Sequence, residues 1–255
     1  MKETRSLLNS LVACGVALAM VSTLAAQTAD QSAAKVVRLK GDARYSTGNN
    51  NWQPLKVGDV IKPGMVIQTA SNSRLDLALG DGSAPVAQAA SSSTLAYRPS
   101  AEQNLVRIWE NTLLGVDKLT ETHTGADVVT ETQLDLKAGR ITGTVKKMSA
   151  ASKYEVKIPN GVAGIRGTVY DITADGVIKI LSGSAVMAYP GPDGTPVTQV
   201  IMDMQQFDAR TGVLSALPDS DKAGLRSIVS QLQAGLAPAL TPVAADKTLL
   251  YISPH

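Results

Sequence analysis

The sequence predicts an all-β protein of antiparallel strands and successive hairpins, either a sandwich or a solenoid-like stack, with one C-terminal amphipathic helix. The first observation is alternation of period two. Leu75, Leu77 and Leu79 alternate with Asp76 and Ala78. Thr130, Thr132, Leu134 and Leu136 share a face opposite Glu131, Gln133, Asp135 and Lys137, and Tyr154, Val156 and Ile158 alternate with Glu155 and Lys157. Such alternation places one face on a core and the other in water, as in antiparallel sheets. The second observation is the punctuation: Pro63-Gly64, Asp81-Gly82, Asn160-Gly161, Asp175-Gly176 and Asp193-Gly194 are tight-turn dipeptides, whose glycines supply the positive φ that hairpins demand. The third is composition. With one Phe, two Trp and six Tyr, the core must be built of Val, Ile, Leu and Ala, which suit thin, regular β layers.

The first residues read as an address. Lys2 and Arg5 precede a nearly unbroken apolar run from Leu11 to Ala26, whose small-residue end gives way to Gln27, Thr28 and Asp30. That is the anatomy of a secretory signal peptide over residues 1–26, cleaved after Ala25 or Ala26. The alternative is an uncleaved anchor, but the run of 16 residues falls short of the roughly 20 that span a bilayer. Leu11-Val12-Ala13-Cys14 resembles a lipobox, yet the apolar run continues well beyond Cys14, against lipidation. Export puts the mature chain in the periplasm or outside the cell, with no transmembrane helix. Losing Lys2, Glu3 and Arg5 leaves 22 basic against 21 acidic residues, so no electrostatic footprint for nucleic acid exists.

Residues 36–189 carry the β pattern, followed by a trailing hairpin over 190–218. Within the first block, residues 84–104 are rich in Ala, Ser, Gln and Pro without a period, and read as an inserted loop. A helix over 219–237 follows from Leu225, Ile228, Val229, Leu232 and Leu236 at helical spacing, with Asp219, Ser220 or Asp221 as cap and Pro238 just beyond. Its stripe serves either to pack on the parent domain or to fill a partner's groove. Residues 238–255 read as linker and tail, in which Leu249-Leu250-Tyr251-Ile252 would form a last strand.

Catalysis has little to stand on. His123 and His255 are the only histidines, and the sole cysteine, Cys14, falls within the expected signal peptide. Nucleophile-elbow and zincin motifs are absent, and the carboxylates lack EF-hand spacing. A non-enzymatic protein without metal or cofactor is expected.

Four ordered motifs resemble the FecR domain family: Trp52-Gln53-Pro54-Leu55-Lys56-Val57-Gly58-Asp59-Val60-Ile61 continuing through Pro63-Gly64 to Ile67-Gln68-Thr69; Arg74-Leu75-Asp76-Leu77 with Asp81-Gly82-Ser83; Leu134-Asp135-Leu136-Lys137-Ala138-Gly139-Arg140; and Pro159-Asn160-Gly161-Val162-Ala163-Gly164-Ile165-Arg166-Gly167-Thr168-Val169-Tyr170-Asp171-Ile172. The resemblance implies a small all-β domain of successive hairpins outside the cytoplasmic membrane. Known members carry an anti-sigma segment and a membrane helix before that domain, whereas here the signal peptide leads straight into it. Sigma-factor control is therefore not inherited from the resemblance.

The expected function is a protein-interaction or scaffold module of the envelope; the alternatives are a binder of envelope glycan and a signalling part that senses a receptor in trans. Candidate binding residues are Trp52, Tyr97 and Trp109, which flank polar or inserted loops and otherwise serve packing. The signature Gly161, Gly164, Arg166, Gly167 and Thr168 reads as structural. Its glycines mark a sharp corner where backbones pass closely. Arg166, between Ile165 and Gly167, is expected to lock the fold with Asp171 or Asp59, or to hold a ligand carboxylate.

Overall fold

The computed structural model of the chain describes residues 30–48, 51–80, 104–124 and 127–234. The expected signal peptide, residues 84–103 with Tyr97, and the tail beyond Ala234 lie outside these. The strands are β1 (Asp30–Gln31), β2 (Ala33–Lys40), β3 (Ala43–Ser46), β4 (Gln53–Pro54), β5 (Val60–Ile61), β6 (Met65–Thr69), β7 (Arg74–Gly80), β8 (Asn104–Ile108) and β9 (Leu113–Thr124). They continue with β10 (Asp127–Ala138), β11 (Arg140–Thr144), β12 (Lys153–Ile158), β13 (Gly161–Thr173), β14 (Val177–Pro190), β15 (Pro196–Ile201), β16 (Gln205–Asp208) and β17 (Val213–Ala216), before helix α1 (Asp219–Ala234).

Hydrogen-bonded neighbours trace one curled sheet that folds into two layers. In the first layer the order is β17–β16–β14–β13–β11–β8–β7–β2–β5. In the second it is β15–β14–β13–β12–β10–β9–β6–β3–β4. All pairs are antiparallel except β10–β12, which is parallel. Long strands β13 and β14 belong to both layers and turn from one to the other where their register slips between Arg166 and Tyr170. Gly167 (φ 58°) and Gly183 (φ 87°) make that turn. A Cβ on Gly183 would strike the Gly167 carbonyl oxygen, so two backbones cross where no side chain fits.

Inward-facing residues of both layers meet in one core. Leu75, Leu77, Ile108, Ile141 and Ile172 come from the first layer, and Ile67, Leu114, Leu134, Leu136 and Val156 from the second. Tyr154 and Tyr170 join hydroxyls across it at 2.8 Å, with ring centroids 6.0 Å apart. Burial raises both phenol pKa values above the ordinary tyrosine value.

The alternation on β7 departs from its expected reading. Leu75, Leu77 and Leu79 do face the core, yet Asp76 and Ala78 on the opposite face are buried too. Helix α1 lies there. Leu232 packs with Ala78 and Leu105, Leu225 packs with Leu181 and Leu217, and Ile228 touches both groups. The helical stripe thus docks on its own domain.

Candidate functional site

The outward face of the first layer carries a single cross-strand row. Register places Arg38 opposite Asp76, then Arg107, Thr142, Asp171, Lys179, Gln206 and Ser215 on successive strands. Each member is engaged. Arg107, fully buried, grips Asp76 through Nε (2.7 Å) and Nη2 (2.9 Å), and its Nη1 donates to Gln231 Oε1 of α1 at 3.0 Å. Arg38 lies 3.6 Å from Asp76 and donates to the Gln231 carbonyl. Asp171, buried, accepts from Thr142 Oγ1 (2.9 Å) and from Arg140 Nε and Nη2. Burial works against the Arg140 charge, but Asp171 outweighs it and raises the guanidinium pKa. Lys179 reaches Asp221 of α1 at 2.9 Å, and Gln206 donates to Ser215. Two buried carboxylates thus each hold a charge-assisted fork, the geometry in which burying such a pair is tolerable.

Trp109 belongs to this assembly. Its Nε1 donates to Thr142 Oγ1 at 2.8 Å, and the Arg107 and Arg140 guanidinium carbons lie 5.6 and 5.0 Å from its ring centre.

A second row crosses the outward face of the other layer at its β4 end. Pro54 pairs with Arg44, Arg44 with Gln68, Gln68 with Leu113, and Leu113 with Ala138. This row floors a groove of about 690 Å³ that Trp52, Asp42, Ala70 and Asn111 also line. Arg44 lies 4.7 Å from the Trp52 ring centre and donates twice to Gln68 Oε1, at 2.9 and 2.7 Å. Among the described residues, the Asp42 carboxylate, the Asn111 carboxamide and Trp52 Nε1 have no hydrogen-bond partner. Trp52 is therefore half-buried at a concave surface, while Trp109 is spent on packing.

At the opposite end of the molecule both layers have an open edge. β15 pairs with β14 alone and β17 with β16 alone. Neither strand carries a charged residue. Val200 (51 % exposed) sits beside exposed Val186 in register, next to Met202 (50 %), and Val213 (56 %) and Leu214 lie exposed on β17. Open edges are ordinarily guarded with charge, proline or bulges, and here Pro196 stands only at the start of β15.

The FecR-like signature resolves into unequal parts. Thr168 is buried, its hydroxyl 2.8 Å from the carbonyls of Arg166 and Ser184, and so it clamps the corner that Gly167 makes. Gly161 leaves no room for a side chain, since a Cβ would meet the Ala188 carbonyl and Met187. Gly164 differs from expectation: a Cβ would meet nothing nearer than Val186 O at 3.8 Å. Arg166 is corrected as well. It is exposed, its guanidinium donates a long hydrogen bond of 3.4 Å to the Ala150 carbonyl, and Asp171 pairs with Arg140 instead. Asp59 accepts from the Lys56 amide within its own turn. Arg166 alternates with buried Ala163 and Ile165 before the register slips, so strand parity puts it on the outward face.

Sequence reasoning also missed the Arg107–Asp76 lock. Its signal was present: Asp76 interrupts a run of leucines, and Arg107 stands between Val106 and Ile108.

No curated protein matches the chain. Among solved structures, two crystal structures of a proposed anti-sigma factor from Parabacteroides distasonis ATCC 8503 are similar, at 11 % identity and a TM-score of 0.35, over 52 % of this chain and 57 % of that one. This chain thus spans little more than half of that protein's length. A family does match: the FecR family, described as FecR protein, over residues 65–186. That span runs from β6 into β14 and includes the corner and its Thr168 clamp. Residues 65–186 of this chain are thus similar to the FecR family and match its model.

Proposed function

We propose that this protein is an exported, non-enzymatic FecR-domain component of the cell envelope that works by binding a protein partner at its open β15–β17 end. The observation that carries this reading is the pair of uncharged strand edges with exposed Val186, Val200, Met202, Val213 and Leu214. A free edge supplies unpaired backbone donors and acceptors, and flanking apolar side chains supply burial; together they are the elements of strand addition. The FecR match over residues 65–186 supports a setting in signal transduction for that binding. Export rests on the sequence of residues 1–26, and among the described residues no helix is long and apolar enough to cross a membrane.

The test is photocrosslinking in intact envelopes from a probe amino acid at position 200 or 213, with position 137 on exposed Lys137 as control. A discrete protein adduct from 200 and 213, absent from 137 and lost on introducing Met202→Lys, is the expected result. Equal labelling from all three positions, or none from 200 and 213, refutes the reading.

A further inference from the structure

The groove at the β4 end is a second, separate surface, and its chemistry differs from that of the open edges. We infer that it is a binding site for a neutral carbohydrate, with Trp52 as the stacking platform. This goes beyond the protein-interaction reading and does not depend on it, because the two surfaces stand at opposite ends of the second layer.

Four features narrow the ligand class. The first is size: about 690 Å³ falls within the roughly 300–1,000 Å³ of small-molecule sites. The second is shape. The outward row gives a floor carried on hydrogen-bonded strands, lowest at Ala138, where the side chain is a single methyl, with the Trp52 indole also lining the groove. A pyranose ring offers a flat apolar face of C–H groups to an aromatic ring and a rim of hydroxyls to planar polar side chains.

The third feature is the supply of such side chains. Asp42 provides an acceptor, Asn111 provides both donors and an acceptor, and Trp52 Nε1 is a donor, none of them engaged elsewhere among the described residues. Gln68 Oε1 is committed to Arg44, which leaves the Gln68 amide N–H groups as further donors. The fourth is charge. One carboxylate, Asp42, and one guanidinium, Arg44, face the groove, and Arg44 is already bound to Gln68 and set against Trp52. A phosphate would meet the Asp42 charge, and a cationic ligand would meet Arg44. A hydroxyl-rich neutral molecule meets neither penalty.

The experiment titrates the purified chain calorimetrically with chitotetraose and with cellotetraose, two β-1,4-linked neutral oligosaccharides. Saturable binding of at least one sugar is expected. Trp52→Ala and, independently, Ala138→Arg, which fills the floor from an exposed position, should each weaken it by at least about tenfold. Both variants should keep the wild-type melting temperature. Met202→Lys, at the far end, should bind the sugar as wild type does while losing the envelope crosslinks. The inference is overturned if neither sugar saturates, if both groove variants bind as well as wild type, or if inorganic phosphate displaces the sugar.

Discussion

Two rows of side chains cross the outward faces of this molecule, and they are used in opposite ways. In the row from Arg38 to Ser215 every polar group has a partner, two carboxylates are buried, and α1 covers the centre. In the row from Pro54 to Ala138 the strands are just as regular, yet the Trp52 indole N–H, the Asp42 carboxylate and the Asn111 carboxamide beside it have no hydrogen-bond partner among the described residues. The first row shows what a charge is for when the fold needs it: Arg107 and Asp76 fix how α1 sits on the sheet. The second shows what remains when it does not. Binding capacity belongs where polar groups are left over on a rigid floor.

The comparison breaks most visibly at its two arginines. Arg107→Ala leaves the Asp76 carboxylate buried without its fork, which costs about 3–5 kcal/mol. Arg44→Ala removes an exposed arginine and its contact with Gln68, at a cost within about 1 kcal/mol. Urea unfolding of the two variants measures both. Similar losses would show that the rows are not different in kind.

Next in size is the corner that lets one sheet serve both layers. Gly183→Val places a side chain against the Gly167 carbonyl at a positive φ and is expected to cost about 3 kcal/mol or more. Gly164→Val, from the same signature region, has room and should stay within about 0.5 kcal/mol. Melting temperatures rank them. A Gly164 variant as damaged as the Gly183 variant would mean that the outward face near Val186 is tighter than its geometry.

Much of this was legible in the sequence, and the failures have identifiable causes. Period-two runs located β7, β10 and β12, and the dipeptides Asn160-Gly161 and Asp175-Gly176 marked the hairpins that bound β13 and β14. The helical stripe located α1. What period two could not disclose was that both faces of β7 are buried, because whether Asp76 meets water or an arginine depends on a helix about 150 residues later in the sequence. Arg166 misled for the converse reason. Its apolar neighbours suggested burial, but it alternates with buried Ala163 and Ile165 and so lies on the outward face of β13. Trp52 and Trp109 looked equivalent as aromatic residues at loop ends, and only the cross-strand register separates the one at the groove from the one packed between Arg107 and Arg140.

The core beneath both rows can be probed without touching either. Burial raises the phenol pKa of Tyr154 and of Tyr170, while unfolded tyrosine titrates near about 10. The folded state therefore holds protons that the unfolded state releases, so this contribution is complete below about pH 10 and is lost as pH rises through the folded values. The urea midpoint should fall on the alkaline side more steeply for wild type than for the Tyr154→Phe, Tyr170→Phe double variant. Equal slopes would mean that the pair does not govern the alkaline limb.

The most direct test of the division between a spent row and an unspent one sets Gln231→Ala against Trp52→Ala, with melting temperature and chitotetraose affinity measured on both. Gln231→Ala removes the acceptor that α1 offers to Arg107 and should cost about 1.5–3 kcal/mol while leaving sugar affinity unchanged. Trp52→Ala should weaken sugar binding by about tenfold or more and leave the melting temperature near wild type. If Gln231→Ala instead weakens binding, or Trp52→Ala lowers stability as much as Gln231→Ala does, the two rows are one system and the account is wrong.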